Sequence, residues 1–205
     1  VIIHQVPLSK YTSNIFILEK KDNSEVWLID IGDFEPLKGR LPAGKTVAGV
    51  FLTHPHFDHI GGINELKAYY PEMQVLGSGQ TLKALNNPKE NLSFYHEEPV
   101  VFSGSSCLNL DDLQEFELYP SLKLGIYQTP GHYSGSLTFK LNNFWFTGDS
   151  IVPGYPVVTK LKGGDRQINQ VSLDRLFGMF SDEDIICSGH GEMVKAKSLN
   201  RKDYF

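Results

Sequence analysis

The apolar positions of this chain fall in short blocks, not in long helical stripes. "IFILE" (15–19), "VWLIDIG" (26–32) and "VAGVFLT" (47–53) are dense in β-branched and aromatic residues and bounded by turn formers, the pattern of buried strands. Asn23 and Ser24 supply the turn between the first two, and the Gly and Pro of "LKGRLPAGK" make a loop before the third. "INELKAYY" (63–70) predicts a short helix halted by Pro71, "MQVLGS" a strand and "QTLKALNN" a second short helix. The second half repeats this style. "FELYP", "KLGIYQTP", "SLTFKL" and "FWFTGDS" predict strands, with Asn142 and Asn143 as the tight turn between the last two. A loop carrying Gly, Pro and Lys spans 152–166. Beyond it, "NQVSLDRLFGMF" places Leu173, Leu176, Phe177 and Phe180 on one helical stripe, and "DIICSG" predicts a last strand. The acidic patch at Asp111, Asp112 and Glu115 reads as a solvated face.

Strand following strand, with few crossover helices, predicts one α/β domain over residues 1–205 with two similar halves. No glycine-rich phosphate loop follows a strand, so a nucleotide cofactor is not expected. Composition changes the picture little: 205 residues, 40% hydrophobic, can fill a core without disulfides. Cys107 and Cys187 match no metal spacing and read as two reduced, largely buried thiols. A net charge of −5 with no basic run speaks against a non-specific grip on nucleic acid or an anionic membrane. No apolar run approaches the length of a membrane span, and "VIIHQVPLSK" lacks the marks of a signal peptide. A cytoplasmic protein acting on a small molecule is expected; oligomeric state is not encoded in any readable way.

Chemistry enters at "THPHFDH". Three of the chain's seven histidines lie within residues 54–59. His54 and His56, two apart in extended backbone, point the same way, while Asp58 and His59 follow a turn and can point elsewhere. Pro55 stiffens the path between the imidazoles. Imidazole with carboxylate suits Zn²⁺, and also Fe²⁺ or Mn²⁺. Four groups do not complete two coordination shells, so further ligands belong downstream. His132 in "TPGHYSGS", Asp149 in "FTGDS" and His190 in "CSGHG" each sit at a strand end beside glycine, which lets several loops approach one rim. Taken singly, His132 and His190 read as ordinary polar histidines and Asp149 as a turn residue; their shared setting makes them candidates. Asp30 can equally be a turn residue of "DIG".

The ordered set "LIDIG", "THPHFDH", "TPGH", "TGD" and "SGHG" resembles the metallo-β-lactamase fold superfamily, in style the glyoxalase II-like hydrolases. The resemblance runs from Asp30 to His190. It implies an αβ/βα sandwich of four layers, two mixed sheets covered by helices, and two divalent ions, zinc first and iron or manganese as alternatives. It implies one ion held by His54, His56 and His132, the other by Asp58, His59 and His190, with Asp149 bridging and Asp30 supporting from behind. Asp58 would also handle the proton in catalysis. Tyr133, Tyr155 and Lys160, on loops near the implied cleft, are candidate substrate contacts, with surface solvation as the alternative for each. The implied activity is hydrolysis of a small thioester or related ester. Lactone hydrolysis on the same metals, a mononuclear iron persulfide dioxygenase using His54, His132 and Asp149, and metal binding without turnover are the alternatives. Many β-lactamases of the fold carry Cys where this chain has Asp149, which lowers antibiotic hydrolysis. Glyoxalase II enzymes add a helical C-terminal segment that grips glutathione, whereas fifteen residues follow His190 here, so that grip is not expected.

Overall fold

The apolar blocks of the first half pair into a six-stranded mixed sheet. The structure is a computed structural model that describes residues 1–9, 12–102, 104–112 and 114–204. The chain divides into two units, Val1–Asn109 and Leu110–Phe205. In the first, β1 (Ile2–Pro7), β2 (Asn14–Glu19), β3 (Glu25–Ile29), β4 (Thr46–Phe51), β5 (Gln74–Gly77) and β6 (Cys107–Asn109) lie side by side in chain order. β1, β2 and β3 form an antiparallel meander; from β3 to β6 every neighbour is parallel. Parallel neighbours need crossovers. These hold α1 (Phe34–Lys38), then α2 (Phe57–Ile60) and α3 (Ile63–Tyr69), then α4 (Gly79–Ala84). The core gathers Ile15, Ile17, Leu28, Val50, Leu52, Ile60, Ile63 and Leu66, all with no measurable exposure.

Four of these elements, β1, β6, α1 and α2, were not expected from the pattern. β1 is an edge strand whose residues are mostly part-exposed, so it carries little apolar alternation. α1 hides behind Pro36, which is tolerated because a first-turn N–H has no helical partner anyway. Asp33 caps it by accepting from Glu35 N at 3.1 Å. α2 is a single turn inside the histidine cluster itself.

In the second unit, β7 (Glu115–Tyr119), β8 (Leu122–Gln128), β9 (Leu137–Leu141) and β10 (Phe144–Gly148) form an antiparallel meander. β11 (Ile185–Ser188) then joins β10 in parallel, and β12 (Val194–Lys195) closes the edge antiparallel. The β9–β10 turn uses Asn142 at φ 55°, a conformation asparagine tolerates. α5 (Arg166–Met179) makes the crossover between β10 and β11. It starts three residues before the expected 169 because Asp165 accepts from Gln167 N and Ile168 N at 2.8 and 3.0 Å. Leu173 and Leu176 are buried with Trp145, Ile151 and Ile186, and Phe177 and Phe180 pack partly buried beside them.

Two expectations are corrected here. Asp112 is not merely solvated: its Oδ1 accepts from Gln128 N at 2.7 Å and from Arg175 Nη2 at 2.9 Å, tying the segment before β7 to the end of β8 and to α5. Cys187 is buried as expected, and burial raises its thiol pKa, but Cys107 is exposed on β6, where fewer neighbours cover the sheet edge. Among the described residues no helix is long and apolar enough to cross a membrane.

Candidate metal centre

Each unit gathers its own donors. In the first, β4 ends, Leu52 and Thr53 continue the path, and His54-Pro55-His56 follows in non-helical backbone before α2 begins. His56 is the residue preceding α2, at φ −61° and ψ 144°. Asp58 and His59 therefore sit on the helical turn, one step round from the pair before it. The His54 ring lies 4.6 Å from that of His56, nearly edge-on at 83°, and 4.2 Å from that of His59. The three imidazoles are buried. His59 Nε2 stands 3.6 Å from Asp58 Oδ2.

The turn is pinned from behind. Ile31 N donates to His59 O at 2.8 Å, and Gly62 N donates to Ile31 O at 2.9 Å. Ser13 Oγ donates to Asp58 O at 2.7 Å. Gly32 is needed because any Cβ there would collide with the Asp58 carbonyl oxygen. Asp30, at φ 59° and 2% exposed, accepts from Thr53 N, Thr53 Oγ1 and His59 Nδ1, each at 2.8 Å. A carboxylate oxygen accepts, so the proton of a neutral His59 ring belongs on Nδ1 and its lone pair on Nε2.

In the second unit three strand ends contribute. His132 follows β8, Asp149 directly follows β10, and His190 follows β11. His132 Nε2 and His190 Nε2 lie 3.6 and 3.5 Å from the same atom, Asp149 Oδ2. His132 Nδ1 bonds to the carbonyl of Val158 at 2.8 Å. A carbonyl only accepts, so here too the proton is on Nδ1 and Nε2 carries the lone pair. The "TPGH" turn is held by a polar stripe of α5 that the apolar pattern did not reveal. Ser172 Oγ donates to Pro130 O at 2.6 Å, Arg175 Nη1 donates to Gln128 O at 3.2 Å, and Asn169 packs beneath Gly131. A polar Asn169 and Ser172 on the face that carries Leu173 and Leu176 was the only available signal.

The donor set fits a metal. Separations of 3.5–3.6 Å between imidazole nitrogen and carboxylate oxygen are too long for a hydrogen bond. Two ligands each about 2.1 Å from one ion at a tetrahedral angle stand roughly 3.4 Å apart, close to these spacings. Nδ1–H bonded to a carboxylate or a carbonyl, with Nε2 left as donor, is the usual support of a metal-binding histidine.

The remaining candidates are scattered in character. Tyr133 is buried at 4% exposure, its ring against Gly163. Tyr155 is 67% exposed, and Lys160 is exposed on the same loop. Thr53, Val158 and Ser172 were not singled out by the sequence; two of them act through a backbone carbonyl or on one.

Comparison with known proteins gives a consistent picture. The family profile described as Metallo-beta-lactamase superfamily matches residues 9–190. A hydroxyacylglutathione hydrolase of Shewanella baltica (strain OS223) is 30% identical over 142 residues, covering 68% of this chain and 48% of that protein. The chain thus spans about half the length of that curated relative. Among solved structures, the B3 metallo-beta-lactamase BLEG-1 superposes with a TM-score of 0.86 at 25% identity, covering 96% of this chain and 95% of that one. The protein TTHA1623, solved in a di-iron-bound form, superposes with a TM-score of 0.81 at 23% identity, covering 95% of each chain.

Proposed function

The chain belongs to the metallo-beta-lactamase superfamily, and we propose that it is a dinuclear metal-dependent hydrolase of small thioesters or related esters. Its fold is that of the superfamily, two mixed sheets with accompanying helices. The observation that carries the proposal is the repeated local motif of the two units: oriented imidazoles whose Nε2 atoms stand 3.5–3.6 Å from a carboxylate oxygen. His54, His56 and His132 would hold one ion, Asp58, His59 and His190 the other, and Asp149 both. When bound, two such dications acidify water toward neutrality and polarise an acyl carbonyl.

The protein's own groups do the rest. Asp30 and the Val158 carbonyl keep the protons of His59 and His132 off the ligating nitrogens. Asp58 has two oxygens, one for an ion and one for a proton. It takes the proton of the attacking water and returns it to the departing sulfur or oxygen as the acyl bond breaks. Its backbone carbonyl is fixed by Ser13, so the carboxylate is presented from a stationary base. The thioester preference draws on the likeness to hydroxyacylglutathione hydrolases.

Metal analysis of purified protein, paired with assays on thioesters, lactones, phosphodiesters and a β-lactam, tests this. About two ions per chain and preferential thioester turnover are expected. A protein that takes up no metal, or one iron with sulfur oxidation in place of hydrolysis, refutes it.

A further inference from the structure

We propose that Thr53 is a positioning residue through which the single carboxylate of Asp30 sets the ring proton of two imidazoles, His59 directly and His54 by relay. The relay follows from counting protons. Thr53 Oγ1 lies 2.8 Å from Asp30 Oδ2 and 3.0 Å from His54 Nδ1. It has one hydroxyl proton. The carboxylate can only accept, so that proton goes to Asp30. The hydroxyl oxygen must then accept from His54, which places the His54 proton on Nδ1 and the lone pair on Nε2. The Thr53 main chain is anchored to the same carboxylate, since its own N–H donates to Asp30 Oδ1 at 2.8 Å. Asp30, Thr53, His54 and His59 are all 2% exposed or less. In that setting a wrong tautomer leaves a ring lone pair facing an oxygen lone pair with no proton between them.

This deepens the metal reading above and rests on it for one consequence. His54 and His59 are assigned to different ions, so Asp30 with Thr53 orients one ligand of each. Removing the Thr53 hydroxyl frees only His54; removing the Asp30 carboxylate frees both.

The test starts from the metal-free protein with ¹⁵N-labelled histidine, read by long-range ¹H–¹⁵N correlation, which distinguishes the two tautomers. In the wild type, His54 and His59 should both carry the proton on Nδ1. In Thr53→Val, which keeps the shape and loses the hydroxyl, His54 should shift toward the other tautomer while His59 stays. Thr53→Ser should restore the wild-type pattern. In a zinc titration, Thr53→Val should weaken one binding step about tenfold or more and leave the other unchanged. A wild-type His54 protonated on Nε2, or a Thr53→Val spectrum identical to wild type, overturns the inference. Should Thr53→Val fail to fold, the wild-type and Thr53→Ser spectra decide alone. The expected tautomers with no zinc uptake would sink the metal reading and leave the role of Thr53 standing.

Discussion

Replacing Asp30 separates shape from charge at the base of the candidate centre. Its carboxylate accepts three hydrogen bonds at 2.8 Å in a site 2% exposed, from a backbone at φ 59°. A hydrogen bond to a charged group contributes about 1.5–3 kcal/mol. Asp30→Ala removes all three, leaves the donors buried, and adds about 1–2 kcal/mol because alanine resists the left-handed backbone. The bonds form one network and will not add fully, so a loss on the order of 5 kcal/mol is expected. Asp30→Asn keeps the shape and tolerates that backbone, but its amide presents donors to donors. One carbonyl oxygen cannot serve all three, and a loss of about 2–4 kcal/mol follows. Urea unfolding of the metal-free proteins measures both, with Trp27, in β3 just before Asp30 and 7% exposed, as a fluorescent reporter. An Asp30→Ala variant within about 1 kcal/mol of wild type refutes the account. So does equal destabilisation by Asn and Ala, since the network argument requires them to differ.

Gly131→Ala should cost about 3–5 kcal/mol, since φ is 146° and the new methyl would overlap the Cα and Cβ of Asn169. The same shift moves the neighbouring His132, so zinc stoichiometry should fall as well, and an unchanged unfolding midpoint refutes it. Asp149→Ala should lose at least one metal ion and most turnover; elemental analysis showing both ions retained would overturn the bridging role proposed for Asp149. Glu19 is held below the ordinary carboxyl range, first by the hydrogen bond from His4 and then by that from Lys45. A depressed folded value means the stabilisation is complete above the ordinary range and is lost as pH falls through the depressed one. Glu19→Gln should therefore be less stable than wild type at neutral pH, and the two should converge on acidification; a constant gap in unfolding midpoint across that range would contradict it.

The strands that carry the core were legible because burial writes itself as apolar blocks. "IFILE" became β2, with all but its last residue buried, and "FWFTG" became β10. What stayed illegible is short or lies at an edge. β1 and β12 pair on one side only, so few of their side chains need to be apolar. α1 and α2 are five and four residues long, less than the span over which a helical period can be recognised. Parallel pairing of β3 with β4 and of β10 with β11 could be anticipated only from the crossovers between them.

The donors and their supports were legible to different degrees for a physical reason. A metal ligand must be one of a few residue types, and residues 54–59 concentrate them, so spacing alone marks them as candidates. A support need only supply a lone pair or a proton at the right place. The backbone of any residue can do that, as the Val158 carbonyl does for His132 and the His59 carbonyl does in accepting from Ile31. Side-chain supports look equally ordinary in sequence: Thr53 reads as one more β-branched strand residue and Ser172 as one more helix residue, yet each bonds within 3.0 Å to a group that sets the turn of a candidate ligand. Glycine is the exception that leaves a trace, since it marks where backbone meets backbone. Gly32 lies against the Asp58 carbonyl and Gly131 against the α5 backbone at Asn169. Alanine at either glycine would displace a candidate ligand's turn while leaving every donor atom chemically intact, so orientation and donor chemistry are separable properties of this centre.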